Sequence, residues 1–402
     1  MSVINKDKDV LEKPRKNKLE DVEVSLRDQI PKKLMKFLND NNFGKKISDI
    51  WAMGNADRSE WLERQQEYLA NWDEHLVSSA EGPFQQSSSL HIPITLTVCK
   101  SFHARFLQAL IGQDPPFTAK PRTEASVDRA ELVQQLLRWT LAEWCNRYKG
   151  IDSVADVWIW DWITTGVGIL KLRWQTDYTR FIDVEDVQEP GPPEFTLDEE
   201  GNEIAVPTVK TVQREVARTK KVYEGPIYER IAPEDLLIIG GQGDPQEADV
   251  SMQQVDFTAS DLWSLSDQRI FDESAVREII SKGPDASVTS QPDNIKQDRK
   301  RNAGLNSMER DEDLDRYRVL EAYLKADVDG SGINSDIVVW VHERTRTILR
   351  ATFLHRINRA GKVPFYKIDF IKRPGQEYGM GLVEIMYPLA VEMDAIHNMR
   401  ID

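Results

Sequence analysis

Cysteine is almost missing from this sequence. Two among 402 residues, Cys99 and Cys145, cannot frame a disulfide scaffold, and neither has a Cys or His partner at zinc-ligand spacing. Each falls in a predicted helix among apolar neighbours and reads as a buried free thiol of a reducing cytoplasm, packing as a small hydrophobe. Long apolar runs are missing too. No stretch reaches the roughly eighteen apolar residues that a membrane-spanning helix needs, so no membrane partner is expected. A signal peptide is absent: Met1 to Lys18 is rich in Lys, Asp and Glu and has no apolar centre, and residues 1–30 read as a disordered arm. Positive charge is in short supply, with a net charge of −15. Proteins that grip DNA carry a basic face for its phosphates, so this chain either avoids gripping nucleic acid or does so with a local patch.

Recognisable chemistry is also sparse. The six histidines (75, 91, 103, 342, 355 and 397) are scattered without ligand spacing. No Ser-His-Asp or Cys-His arrangement emerges, and no carboxylate pair sits in a compact apolar context that would tune an acid and a base. The expectation is no catalytic residue, no cofactor and no metal. Asp327-Val328-Asp329-Gly330-Ser331-Gly332 copies the start of a calcium loop, but its twelfth position is Val338 and strands flank it, so it reads as a turn. Gly166-Val167-Gly168 and Gly379-Met380-Gly381 look like pieces of phosphate loops. The first lies at a helix-to-strand junction, the reverse of the dinucleotide order, and no Lys-Ser/Thr follows the second, so both read as structural turns.

What is present is a soluble composition, 40% hydrophobic and 30% charged, in a chain long enough for two or three domains. Of 11 Trp residues, all but Trp263 and Trp340 precede residue 175, which places the large helical core in the first half. Pro31 opens a helix that Gly44 closes. Ser59 caps a helix carrying Trp61, Leu62, Tyr68, Leu69 and Trp72. Pro93 starts another, with Ile94, Val98, Phe102, Phe106, Ala109 and Leu110 as its apolar stripe and Gly112 as its stop. Residues 126–148 form a third long helix with Leu132, Val133, Leu136, Leu137, Leu141 and Trp144 on one face, and 151–165 a fourth. The glycines at 166 and 168 then release a strand ending at Trp174.

From Tyr178 to Ile239 the apolar residues alternate, the mark of an antiparallel sheet, with a hairpin turn across 197–204. Residues 260–282 read as one helix and 283–313 as a mobile linker. Strands follow at 318–324, 337–342, 348–355 and 363–371. The last segment is a helix with Leu382, Met386, Leu389, Met393 and Ile396 in one stripe, Ile385 alongside, and Pro388 inside it, where a kink or a restart is expected. Neither a Gly cap nor a Pro break follows it, so the sequence reads as ending in mid-helix, as a fragment does by truncation or by loss of order.

One contrast stands out. Between His342 and Arg373 lie nine Lys or Arg residues, opposed only by Glu343 and Asp369. That stretch is either the solvated face of a small sheet or a patch for phosphate or an acidic partner.

At this point the chain resembles the portal proteins of tailed bacteriophages, those of short-tailed phages above all. Trp61 to Trp72, then Ile92-Pro93-Ile94 to Leu110, then Asp114-Pro115-Pro116-Phe117, is similar to the family's first wing helices and their exit into an extended segment. Ile163-Thr164-Thr165-Gly166-Val167-Gly168-Ile169-Leu170-Lys171 resembles its helix, turn and strand. Glu229 to Leu236 is similar to its strand–Pro–Asp turn. Lys362-Val363-Pro364-Phe365, Tyr378 to Glu384 and Met393 to Arg400 resemble the segment that enters its rising helix. The likeness covers most of residues 55 to 402 in order. Portal chains of this type continue further, through a channel-facing helix and loop and a helical crown, so the channel constriction cannot be read here.

The resemblance implies an α+β fold: a helix-rich wing with antiparallel sheets, a small β-rich clip and a long stem-type helix. The corresponding boundaries are 31–175 for the helical wing, 176–282 for its sheet and helix part, 283–316 for a linker, 317–373 for the clip-like unit and 374–402 for the start of the stem. It further implies a homo-oligomeric ring of twelve at one capsid vertex of the virion, assembled in the host cytoplasm. Double-stranded DNA passes through it without sequence specificity. Terminase, the major capsid and scaffolding proteins and the head-completion or tail adaptor proteins are its partners. An acidic body suits a tunnel through which DNA must slide, because each Lys or Arg contact to phosphate adds affinity. In this frame Arg344, Arg346, Arg350, Arg356, Arg359 and Lys362 are the candidate clip contacts to a partner or to DNA. Glu384, Asp394, Asn398 and Asp402 are candidates for the channel side. Leu382, Met386, Leu389, Met393 and Ile396 pack between subunits, with Arg400 pairing a carboxylate across the boundary. Two alternatives stand beside this reading: another head–tail connector, and a carboxylate- and metal-dependent packaging nuclease.

Overall fold

The computed structural model describes residues 32–72, 88, 90–112, 118–121, 123, 127–147, 151–191, 194–197, 203–206, 209–285, 295, 316–328 and 330–402. The expected arm and most of the expected linker lie outside these residues. The helices are α1 (Lys32–Asp40), α2 (Phe43–Asp57), α3 (Ser59–Trp72), α4 (Ile94–Ile111), α5 (Val127–Arg147), α6 (Ile151–Thr164), α7 (Ala259–Asp267), α8 (Glu273–Ser281), the single turn α9 (Leu354–Ile357) and α10 (Leu382–Ile401). The strands are β1 (Val167–Pro190), β2 (Glu194–Leu197), β3 (Glu203–Val206), β4 (Val209–Ile231), β5 (Leu236–Ile239), β6 (Val250–Thr258), β7 (Arg316–Ala326), β8 (Ser335–His342), β9 (Ile348–Phe353) and β10 (Phe365–Asp369). The class is mixed helix and antiparallel sheet, as expected. The chain forms two units: a body containing the described residues up to Arg173 and from Tyr228 onward, and a ribbon from Trp174 to Ile227.

The body is organised on a five-stranded antiparallel sheet in the order β5-β6-β7-β8-β9. Successive side chains of a strand point to opposite faces, and both faces here are buried. Leu320 and Ala322 of β7 join Leu34, Leu38, Ile47 and Trp51 of α1 and α2. Tyr317 and Val319 turn the other way, onto Leu262, Val276 and Ile279 of α7 and α8. Tyr323, on that second face, packs with Val167, Ile169 and Phe365 of the second sheet, ordered β10-β1-β4. A fourth cluster gathers Cys99 of α4, Ile159 and Ile163 of α6, and Leu382 and Val383 of α10.

The five-stranded sheet spans the expected boundaries at 282 and 316. The strands assigned to a separate clip-like unit are not separate: β7 pairs with β6 from Val250↔Leu324 to Thr258↔Arg316. Strands β5 and β6 therefore belong to one sheet with β7, β8 and β9, joined across the interval that had looked like a linker. Strand β6 escaped the sequence reading because buried Gln253 and Gln254 interrupt its apolar pattern. The single helix expected over 260–282 is two. Thr258 and Asp261 form a capping box that starts α7, and the Asp272 side chain accepts from the Ser274 amide to start α8.

Gly44 does not stop a helix. It lies inside α2 and is buried, and a Cβ there would sit 2.0 Å from the Arg346 carbonyl oxygen. The residue is needed for close approach, not for a turn. The two Gly-x-Gly motifs serve the same purpose on each other. A Cβ on Gly166 would meet the Gly381 nitrogen at 2.5 Å, and one on Gly381 would meet the Thr164 oxygen at 2.3 Å. The turn between α6 and β1 thus rests backbone on backbone against the start of α10. The structural reading of both motifs holds, for a reason that neither motif alone could show.

Two apolar stripes face differently from expectation. In α4 the buried side carries Thr95, Cys99 and His103, while Phe102 and Leu110 are exposed. In α5 Leu132, Val133, Leu136, Leu137 and Trp139 are all exposed. The side chains of Leu141's neighbours Trp144 and Cys145 lie outside the described set. Cys99 is a free buried thiol, and burial pushes its pKa up to about 12.

Polar groups fix the junctions. Lys171 of β1 donates to Glu321 of β7 and Gln253 of β6, each at 2.6 Å, and the Tyr323 hydroxyl donates to the other Glu321 oxygen at 2.5 Å. Burial alone would raise the Glu321 pKa, but Lys171 and Tyr323 hold this carboxyl below its ordinary value. Buried Arg58, at the corner between α2 and α3, donates to the Leu236 oxygen at 2.8 Å, the Glu234 oxygen at 2.6 Å and Tyr378 at 3.2 Å. Tyr378 is stacked on Trp61 at 4.2 Å. The Pro233–Leu236 turn and the Tyr378–Gly381 segment, distant in sequence, meet at this one guanidinium.

Candidate functional site

The terminal helix α10 has two unlike flanks. A helix turns about 100° per residue, so positions 394, 398 and 402 share one side. There Asp394 accepts from the Ile92 amide at 2.9 Å and contacts His91 Nδ1 at 2.6 Å. Asn398 accepts from the Leu90 amide at 2.9 Å and donates to the Leu90 oxygen at 3.1 Å. Asp402 accepts from the Ser88 amide at 2.8 Å and from its hydroxyl at 2.6 Å. The ladder works because four helical residues rise about 6 Å and two extended residues span about 6.6 Å. Each polar side chain therefore meets every second amide of the segment that leads into α4. Glu384, nearly three turns from the nearest rung, is bound by Arg373 at 2.6 Å. The four residues expected on the channel side are thus occupied by their own chain. The sequence held the signal, an Asp-x3-Asn-x3-Asp spacing, but gave no partner for it.

The other flank is apolar and uncovered. Leu382 and Met386 pack with the helical cluster of α4 and α6. Farther along, Leu389 is 54%, Ile396 52% and Met399 77% exposed, with Ile385 and Met393 exposed beside them. Arg400 is exposed and makes no ion pair among the described residues. The helix runs on through Pro388 without a restart. Farther back, Tyr387 donates to Glu67 of α3, and burial, followed by that carboxylate, pushes its pKa up to about 12.

The basic run separates into two groups. Arg344 pairs with Asp285 at 3.0 Å and donates to the Lys282 oxygen at 3.1 Å, Arg346 pairs with Asp49 at 3.6 Å, and Arg350 lies over the Trp340 ring at 4.7 Å. Lys367 contacts Asp369 at 3.0 Å and Arg373 holds Glu384. These five are structural. Asp285 collects further donors, and although burial opposes it, hydrogen bonds from His342 and the Arg318 amide keep its carboxyl below the ordinary range. Lys372 is exposed beside Arg373, and the second group is Arg356, Arg359 and Lys362, on the connection between β9 and β10. All three are exposed and form no ion pair among the described residues. Asn358 shapes this loop, accepting from the Ala360 amide at 3.0 Å and donating to the Lys362 oxygen at 2.8 Å.

The calcium-like segment is a turn. Asp327 spends its carboxylate on the amides of Gly330 at 2.8 Å and Gly332 at 2.9 Å, between the end of β7 and the start of β8. Among the described residues no group of three or more His, Cys, Asp or Glu side chains could hold a metal ion. No described helix is long and apolar enough to cross a membrane.

A family model described as phage SU10 portal protein matches residues 63–390. The chain belongs to this family of phage portal proteins. No curated protein matches it. The portal match opens within α3 and closes within α10. It therefore takes in both sheets, the ribbon and the basic loop, and begins just after Arg58. The resemblance read from the sequence is shown at the level of the family.

Proposed function

We propose that this portal protein assembles into a closed ring of twelve copies at one capsid vertex and forms the conduit for double-stranded DNA during packaging and ejection. The observation that carries this reading is the pair of flanks on α10. One flank is tied to its own chain by the Asp394–Asn398–Asp402 ladder, and the other offers Leu389, Ile396 and Met399 to a neighbour. A helix held rigidly on one side with a free apolar stripe on the other suits repetition about an axis, the association that closes rings. The exposed apolar side of α5 gives a second surface for the neighbouring copies or for capsid and scaffolding protein. The acidic chain favours passage of DNA over retention. The exposed Arg356, Arg359 and Lys362 are the candidate contacts to terminase, to the head-completion or tail adaptor proteins, or to the DNA end. The protein supplies no catalysis, and its place of assembly is the host cytoplasm.

Native mass measurement and electron microscopy test the ring. The expected particle is on the order of half a megadalton with rotational symmetry. A monomer, or a chain that cleaves DNA with a divalent ion, refutes the proposal. Charge reversal of Arg356, Arg359 and Lys362 together is expected to leave the ring intact and to reduce packaging. Normal packaging by that variant removes the loop from the docking surface.

A further inference from the structure

Among the described residues, no strand lies along the outer edges of the ribbon. Strand β1 pairs with β10 only from Val167 to Lys171, with one further bond from the Leu172 amide to the Pro364 oxygen. Beyond that point its second edge has no strand beside it among the described residues, and β4 is bordered by β1 alone. The contacts Arg173–Glu229 and Asp183–Arg218 run in opposite sequence directions, so the ribbon is antiparallel. A two-stranded ribbon is marginal alone in water, and long open edges invite another strand. No proline falls between Trp174 and Glu189 or between Val209 and Glu224, so every outward backbone amide of these stretches can donate to a further strand. Both faces expose apolar side chains, Trp174 at 66% and Ile182 at 68% on one, Phe181 on the other.

The two strands differ in charge. Residues 174–206 carry ten acidic side chains against the single basic Arg180. Residues 207–227 carry five basic side chains against Glu215 and Glu224. The ribbon is an acidic strand beside a basic one, and this polarity decides how two ribbons can meet. Pairing β1 with β1, or β4 with β4, sets like charges opposite each other, which is unfavourable across strands. Pairing β1 of one copy with β4 of the next sets acid against base, keeps every neighbour antiparallel, and repeats head to tail.

We infer that adjacent copies of this chain join by edge-to-edge pairing of their ribbons, β1 of one against β4 of the next, so that acidic and basic strands alternate around a closed β-collar. The inference rests on the ring proposed above and names the interface that closes it. Heterologous pairing of this kind generates rings, whereas the like-to-like alternative stops at dimers.

The test uses two variants of the full chain. One carries Lys210→Glu, Arg214→Glu and Arg218→Glu, which makes both strands acidic. The other carries Asp177→Lys, Asp183→Lys and Asp186→Lys, which makes both basic. Within each variant the contact of residue 183 with residue 218 is like-charged whether the variant is alone or mixed. Only the contacts between copies improve on mixing, because every acidic ribbon can then lie between two basic ones, an alternation that twelve places accommodate. Each variant alone is expected to need about tenfold or more protein to form rings, and the equimolar mixture to return to within about threefold of the unaltered protein. Hydrogen exchange gives a second readout: backbone amides of 174–186 and 209–222 gain protection in unaltered rings relative to the unassembled variants. If the unaltered chain forms rings and both variants do so equally well, or if the mixture assembles no better than its components, the collar is overturned and the ring stands. Ribbon protection that appears only after scaffolding or capsid protein is added also overturns it. If the unaltered chain forms no ring, the ring proposal fails and the collar fails with it.

Discussion

Replacing Lys171 with Met tests the junction between the two sheets. The Lys171 side chain is 8% exposed and its ammonium lies 2.6 Å from Glu321, itself 9% exposed. Met keeps most of the aliphatic stem and removes the charge, together with the cation's contact to the Phe365 ring at 5.4 Å. Glu321 is then a buried carboxylate whose remaining donor is the Tyr323 hydroxyl. Breaking a buried pair from one side costs about 3–5 kcal/mol, because the remaining charge stays desolvated. At about 2 °C per kcal/mol for a large domain, the melting midpoint at pH 7 should fall by about 6–10 °C. The pH dependence gives the sign. In the unaltered protein the Glu321 pKa is held below its ordinary value, so its contribution is fully present above the unfolded pKa of about 4.3 and is lost as pH falls through the folded value. In the variant, burial is opposed only by the Tyr323 hydroxyl and the charge of Arg173, so the pKa should rise, and the destabilisation should be largest near neutrality and shrink as acid neutralises the carboxyl. Adding Glu321→Gln should restore much of the loss at pH 7. Equal midpoints for single variant and unaltered protein at pH 7, or a double variant no better than the single one, refute this account.

Three further outcomes are expected. Arg58→Lys keeps the charge but cannot reach the Glu234 and Leu236 oxygens and Tyr378 together, so it should destabilise by about 2–4 kcal/mol in denaturant unfolding. Gly44→Ala gains helix propensity of about 1 kcal/mol but places a Cβ 2.0 Å from the Arg346 oxygen. Overpacking wins, and the variant should lose about 1–3 kcal/mol, whereas a rise in stability would show that α2 can shift away from that loop. Cys99, with its thiol pKa pushed up to about 12, should resist maleimide labelling at pH 7 in the folded protein and react after unfolding, as read by mass spectrometry.

The basic run shows why composition located a patch without identifying its working residues. Nine cations in one stretch are visible by counting, yet Arg344, Arg346 and Arg350 are committed to Asp285, Asp49 and Trp340. Their partners all lie before the run, so no pattern within it distinguishes them from Arg356, Arg359 and Lys362. The α10 flanks show the same limit from the other side. The 3.6-residue period defined a polar side and an apolar side, but not which faced the chain. Burying the apolar side is the usual outcome, and here hydrogen bonds to the backbone of 88–92 reverse it for the second half of the helix.

Periodicity, capping residues and glycine positions are local, so the sequence alone determined most of the elements, the α+β class and the portal family. It also marked both Gly-x-Gly motifs and the Asp327 loop as structural. Pairing and close approach are long-range. Only the tertiary structure decided that β6 and β7 join one sheet across the interval 283–315, that Gly166 and Gly381 rest on each other, and that Lys171 finds Glu321. Each depends on what the chain brings to a position from about sixty residues away or more. A residue's own neighbours carry no record of that.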